Sequence, residues 1–162
     1  MSSIICDICA KSGMLCTACE KKLQEGKITK LEVDLVQALY KLTKGEVGFE
    51  RAIELEDAVI IFAKKDDIGK IIGKKGAHIR ELSKKTGKNV RVVGTDNARD
   101  AILDFIAPAR VKDIRRVFLP DGSELSRVTI DKSDEQKLRL TPGEMQRIIT
   151  ALTNTKSEIR FE

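Results

Sequence analysis

The run Ile71-Ile72-Gly73-Lys74-Lys75-Gly76-Ala77-His78-Ile79 constrains this chain more than any other, because an apolar helix end that meets Gly-x-x-Gly and then a second helix folds as a tight glycine turn between two helices. Glycine at both ends lets the backbone come close to a sugar-phosphate. The amides at the start of the following helix attract its negative charge, and Lys74 and Lys75 add Coulomb attraction. Gly73 to Gly76 is therefore a candidate phosphate-binding turn. An ordinary helix-turn-helix has the same bare spacing, so the surroundings must decide.

Charge placement favours the phosphate reading. Residues 64–91 carry ten Lys or Arg against three acids, a net +7, and the rest of the chain has 20 basic and 22 acidic residues. The excess basicity of the protein thus sits around one turn, where an anionic polymer would lie. A nucleotide-triphosphate loop is excluded, because only three residues separate Gly69 from Gly73-Lys74 instead of the four needed between the motif's glycines. In addition, Lys75 takes the place of the magnesium-binding hydroxyl.

All four cysteines lie in Cys6-x-x-Cys9 and Cys16-x-x-Cys19. Two such pairs, joined by a short hairpin, would present four thiolates as a tetrahedral site for one structural zinc ion. Disulfides are the competing use of these residues, and iron or an iron-sulfur cluster is a lesser one; a reducing compartment and the paired spacing favour zinc. Four filled positions leave no room for an activated water, so the metal would staple and not catalyse. Binding four thiolates and a divalent ion would take the formal charge from +5 to about +3. No apolar run reaches the ~18 residues of a membrane span, and a cytoplasmic protein is expected.

Along the chain, Leu31, Leu35, Leu39 and Leu42 recur at helical spacing, with Glu32, Asp34 and Lys41 off the stripe, in a helix that ends at Gly45. Phe49, Ile53 and Leu55 share strand parity, and Val59 to Ala63 reads as a fully buried strand. A short helix from Asp66 to Ile72 leads into the turn. A second, Ala77 to Thr86 with Ile79 and Leu82 inward, stops at Gly87, and Val90 and Val92 alternate with Arg91 on a closing strand.

Helix, strand, strand, helix, GxxG, helix, strand is the order of the type II K homology (KH) fold, which residues 30–93 resemble in both loop and element sequence. The resemblance implies that the turn clamps single-stranded RNA. It places Ile72, Gly73, Lys74, Lys75, Gly76 and Ile79 in the binding site, with Lys70, Arg80 and Arg91 as secondary contacts.

Residues 96–162 repeat the plan at an offset of sixty-six or sixty-seven positions. A helix Asn97 to Ile106 precedes strands Arg116 to Leu119 and Arg127 to Ile130. A short helix near Glu135 to Leu138, a helix Pro142 to Leu152 and a strand Glu158 to Phe161 follow. Here the turn has become Leu140-Thr141-Pro142-Gly143. Thr141-x-x-Glu144 reads as a capping box that fills the helix N-terminus and sets an acid where phosphate would sit, so this copy is expected to bind no RNA backbone there.

The fold class expected is α+β: a zinc module at 1–26, a KH domain at 27–94 and a degenerate second type II KH domain at 95–162, with residues 30–162 able to fold without the metal module. Two abutting KH units resemble the archaeal NusA-like transcription factors, which implies a role in transcription elongation or termination; a ribosome-associated or polymerase-docking scaffold is the alternative. RNA polymerase or the ribosome would be the protein partner. Neither membrane nor small-molecule substrate is expected. An enzyme is the weakest reading, since His78 is the sole histidine and no nucleophile-base pair stands out. His78 itself is expected to be a solvated helix residue or a phosphate-side contact. Most of the few aromatic side chains are expected in the core, so base stacking should count for little.

Overall fold

The computed structural model describes residues 4–138 and 140–162, and among these the chain is α+β, with seven α-helices and two three-stranded sheets. It divides into two compact units, Met1–Asp96 and Asn97–Glu162.

The first unit runs α1 (Asp7–Ser12), α2 (Thr17–Gln24), α3 (Lys30–Thr43), β1 (Arg51–Glu54), β2 (Ala58–Ala63), α4 (Lys65–Ile72), α5 (Ala77–Thr86) and β3 (Asn89–Gly94). The sheet has β2 in the middle, antiparallel to β1 and parallel to β3. Val59, Ile61 and Ala63 face the main core with Ile71, Leu82 and Val90, while Ile60 and Phe62 on the opposite face are also buried. The unbroken apolar run of β2 is the mark of a strand covered on both sides.

Helix α3 lays Val33, Leu35, Val36 and Leu39 into this core, with Leu31 and Leu42 half-buried at its margins. It opens on a capping box, Thr29 with Glu32. Glu32 does not belong to the polar face expected of it. Its carboxylate is buried, with Oε1 accepting from the Thr29 amide at 3.0 Å and hydroxyl at 3.2 Å, and Oε2 accepting from the Ala52 amide at 3.1 Å. One acid thus caps the helix and fixes β1 to it. In β1 the residue turned to the core is Ala52, paired with Ile61, and Ile53 faces the other way beside Ile60. Phe49 and Leu55 are buried but lie outside the strand, so the expected shared parity fails.

Ile5, Cys9, Ala10, Cys19 and Ile28 belong to the same core as α3, and Gln37 Nε2 donates to the Cys9 carbonyl at 3.4 Å. The core therefore runs across the boundary expected between residues 26 and 27.

The second unit runs α6 (Ala98–Ile106), β4 (Val111–Phe118), β5 (Glu124–Ile130), a 3₁₀ segment (Lys132–Lys137), α7 (Pro142–Thr153) and β6 (Lys156–Phe161). It repeats the first sheet's plan: β5 is central, antiparallel to β4 and parallel to β6. Ala58 pairs with Asn89 in one sheet and Leu125 with Lys156 in the other, the same displacement along the chain. Strands β4 and β5 start earlier than expected, and a 3₁₀ segment replaces the short helix near Glu135. Ile102, Ile106, Val128, Ile130, Met145 and Ile149 form the core.

Asp134 is buried in this unit, accepting from the Arg110 amide and Nε at 2.9 Å each and from Lys137 Nζ at 3.0 Å. The hydrogen bonds from the Arg110 and Lys137 side chains hold its carboxyl far below the usual range. The charged form is the bonded one. Its contribution to stability is complete above the unfolded aspartate range near pH 4 and is lost as pH falls from there toward the depressed native value. Asp134→Asn should be less stable than the parent at neutral pH, with a smaller loss on acidification, measured by thermal unfolding at neutral pH and well below pH 4.

Candidate nucleic-acid interface and four-cysteine site

Helix α4 ends at Gly73, whose amide donates to the Gly69 carbonyl at 3.0 Å. Its φ of 78° and ψ of 173° belong to a region essentially reserved for glycine. Lys74–Gly76 make one 3₁₀ turn closed by the Gly76 amide on the Gly73 carbonyl at 3.2 Å, with Lys75 and Gly76 both left-handed at φ 56° and 75°. Helix α5 then begins at Ala77 with no side chain capping its N-terminus. The Ala77 amide donates to the Lys74 carbonyl, and the amides that follow it have no side-chain cap, which leaves them to water or to an incoming anion.

The turn is braced from within. A Cβ on Gly73 would stand 2.6 Å from His78 Cγ and 3.0 Å from the His78 amide nitrogen. His78 is half-buried, and its Nδ1 donates to the Lys70 carbonyl at 3.0 Å, so it props the turn against the end of α4 and is not the freely solvated helix residue that is one of its two expected readings. Arg80 Nη1 donates to the Lys75 carbonyl at 2.6 Å. Nothing in the residue spacing announced either brace.

Lys74 and Lys75 are exposed at the tip, and Lys70 is exposed on α4. Ile72 is half-buried beside the turn. Ile79 is half-buried and rests on the main core, while Ile71 between Lys70 and Ile72 is fully enclosed. The structure therefore gathers Lys70, Ile72, Gly73, Lys74, Lys75, Gly76, Ile79 and Arg80 in one helix-turn-helix corner. Arg91 lies on β3, exposed and in register with Ile60.

The corresponding corner of the second unit is closed. Thr141 Oγ1 accepts from the Glu144 amide at 3.2 Å, and Glu144 Oε1 accepts from the Thr141 amide at 3.3 Å and hydroxyl at 3.1 Å, with Pro142 in the first turn. Side chains here cap the helix start, where α5 has no side-chain cap.

The cysteine pairs do not form a ribbon hairpin: each Cys-x-x-Cys spans the start of a short helix, with Cys6 at the N-cap position of α1 and Cys16 at that of α2. Cys6 Sγ lies 3.2 Å from Cys9 Sγ and 4.0 Å from Cys16 Sγ, and all four sulfurs fall within 4.8 Å of one another. A tetrahedral S4 site with metal-sulfur bonds of about 2.3 Å needs sulfurs about 3.8 Å apart, so the cluster has the right size for one ion. The Cys16 amide donates to Cys9 Sγ at 3.0 Å and the Cys6 amide to Cys19 Sγ at 3.4 Å, which favours the ligating thiolates. The Cys19 amide, with neighbouring thiols, draws the exposed Cys16 thiol down to about 6, while burial pushes Cys9 up to about 12.

Residues 58–104 match the KH domain family. The chain contains a KH domain. The match begins at β2 and takes in α4, the glycine turn, α5 and β3. No curated protein matches the chain in sequence. In fold it is similar to the crystal structure of APE1850, with a TM-score of 0.59 and 18% identity over 83% of this chain and 100% of that one.

The two glycines of the turn should differ in their tolerance of alanine. Gly73→Ala meets both a glycine-only backbone and the His78 ring, and should cost about 2 kcal/mol or more in a denaturant melt. Gly76→Ala meets only Arg80 Nη1 at 3.7 Å in an ordinary left-handed conformation, and should cost about 1 kcal/mol.

Proposed function

We propose that the chain is a non-enzymatic RNA-binding protein that grips a short single-stranded segment at the Gly73–Gly76 turn. A KH domain supports RNA binding. The observation that carries the single-strand reading is the open N-terminus of α5, set behind a glycine turn that exposes Lys74 and Lys75. A phosphate takes the uncapped amides beyond Ala77, the two lysines neutralise its neighbours, and Ile72 and Ile79 support an apolar wall for the bases. Lys70, Arg80 and Arg91 are secondary contacts, Arg80 with one nitrogen committed to the turn. The second unit would act as a degenerate KH copy that binds no phosphate at its own capped turn.

Zinc suits the donor set, and Cys6, Cys9, Cys16 and Cys19 would hold one ion whose role is to tie α1 and α2 to the core of the first unit. Among the described residues no helix is long and apolar enough to cross a membrane. A NusA-like role in transcription elongation or termination in an archaeal cytoplasm is the setting we favour. The second reading, a scaffold on RNA polymerase or the ribosome, is favoured by Ile8 and Met14, which stand 76% and 77% exposed on the cysteine segment. Binding of RNA by the purified chain without partners separates the two.

The decisive comparison is between the turns. Lys74→Asp with Lys75→Asp should abolish binding to single-stranded RNA while leaving the fold intact, because both side chains are exposed. Thr141→Asp with Pro142→Asp should leave affinity nearly unchanged at a small cost in stability. Equal damage from both folded variants would refute the assignment of the phosphate site to the first turn.

Metal analysis of protein purified without chelator should give one zinc per chain. Removing the ion, or Cys9→Ser, should lower the melting temperature of the whole first unit, since Cys9 and Cys19 are part of its core. A stoichiometry near zero with four titratable thiols would rule the metal out.

A further inference from the structure

Phe118 is 71% exposed at the end of β4, whereas Phe49, Phe62 and Phe105 are buried and Tyr40 and Phe161 half-buried. It is thus the only strongly exposed ring among the described residues. Strand β4 is the edge of its sheet, and the two residues before Val117 are Arg115 and Arg116, with side chains 75% and 65% exposed. Arg116 shares its strand face with Phe118, and Arg115 projects on the other side of the edge.

The local electrostatics are unusual for a strand that has only to fold. Arg115 sits directly opposite Arg127, a like-charged cross-strand pair that costs stability. Asp113 pairs with Arg115, Glu124 with Arg116 at 3.6 Å, and Glu158 with both Arg127 and Arg160. The first two pairs are solvent-exposed and hold their arginines weakly. A sequence that breaks a local folding rule without a packing gain marks a place selected for something else.

We propose that the β4–β5 hairpin is a second contact for single-stranded RNA, in which a base stacks on Phe118 while Arg115 and Arg116 take the flanking phosphates. The inference rests on the RNA-binding reading above and extends it to the unit whose turn is capped. An exposed ring beside exposed guanidiniums matches a nucleotide, which offers a π-face and a negative charge a few ångströms apart. A protein partner for Phe118 would be expected to meet a larger apolar patch, but its nearest neighbours on that strand face are Arg116 and, opposite, Glu124 and Ser126, and the apolar Ile114 and Val128 further along belong to the core.

The test is binding of the full chain to a labelled single-stranded oligouridylate at low salt. Phe118→Ala should weaken binding roughly 5- to 150-fold, the range expected for one lost stack. Phe118→Leu, which keeps an apolar contact without a ring, should weaken it equally, and Phe118→Trp should bind at least as tightly as the parent. All three should melt like the parent, because the side chain is exposed. Wild-type affinity for Phe118→Ala, in an assay where Lys74→Asp with Lys75→Asp has lost binding, overturns the hairpin contact and leaves the primary site standing. Wild-type affinity for Phe118→Leu beside a weakened Phe118→Ala also overturns it, since the contact would then be apolar and of the kind a protein uses. If neither the lysines nor Phe118 matters, the RNA-binding reading itself falls and this inference with it.

Discussion

Parallel pairing of two strands in one sheet requires a crossover, and in both units that requirement places a helix N-terminus at the sheet's end. Between β2 and β3 the crossover is α4, the glycine turn and α5; between β5 and β6 it is the 3₁₀ segment and α7. The same topological demand meets two chemistries. In the first unit glycines at 73 and 76 carry the reversal through backbone alone, with the Ala77 amide on the Lys74 carbonyl and no side chain capping the amides beyond it. In the second, Thr141 and Glu144 satisfy them. A capping box is the ordinary, more stable solution, so the open turn gives up stability that a cap would have added. It does so where ten cations have been gathered between residues 64 and 91.

Rigidity at that turn is supplied from below. The His78 ring fills the space that a side chain on residue 73 would need, its Nδ1 satisfies a carbonyl at the end of α4, and Arg80 satisfies the carbonyl of Lys75. These contacts hold the loop's shape before any ligand arrives, which lowers the ordering cost of binding. A similar economy operates at α3. Its N-terminal Glu32 serves as cap and as acceptor for the β1 backbone, and its apolar face is shared by the sheet and the cysteine segment. The four sulfurs are thus tied to the same core that supports the turn, two of them lying inside it.

What the sequence disclosed follows from which interactions are local. The run Val59 to Ala63, the capping box at Thr141 and the glycine stop at Gly87 each depend on neighbouring residues, and each was readable. Strand β4 was half missed, because an edge strand with one open face tolerates Lys112, Asp113, Arg115 and Arg116 and so loses the apolar alternation that identifies a strand. Glu32 was misplaced for the converse reason. A carboxylate is assigned to solvent by default, and only the tertiary approach of Ala52 makes its burial favourable. The cysteine spacing announced the four-sulfur cluster but not its architecture, since Cys-x-x-Cys opens a helix as readily as it turns a hairpin. At the turn, the glycines and lysines were legible by type, while the braces from His78 and Arg80 depend on how α5 folds back over it.

The two RNA contacts argued above differ in physical kind, and this bears on how the protein would hold a strand. Lysines at an open helix N-terminus bind through phosphate charge and the release of condensed counterions, with a salt slope near 0.7 per phosphate on a single strand. A base on Phe118 binds through dispersion and surface burial, terms that added salt hardly changes. A chain with only the first would lose its grip steeply as ionic strength rises; one with only the second would associate slowly, lacking long-range attraction. Together, the charged turn would accelerate encounter and the ring would slow departure. The near-neutral balance of the chain outside residues 64–91 fits this division, because a second strongly basic surface would retain duplex and single strand alike, whereas a stacking ring accepts only unpaired bases.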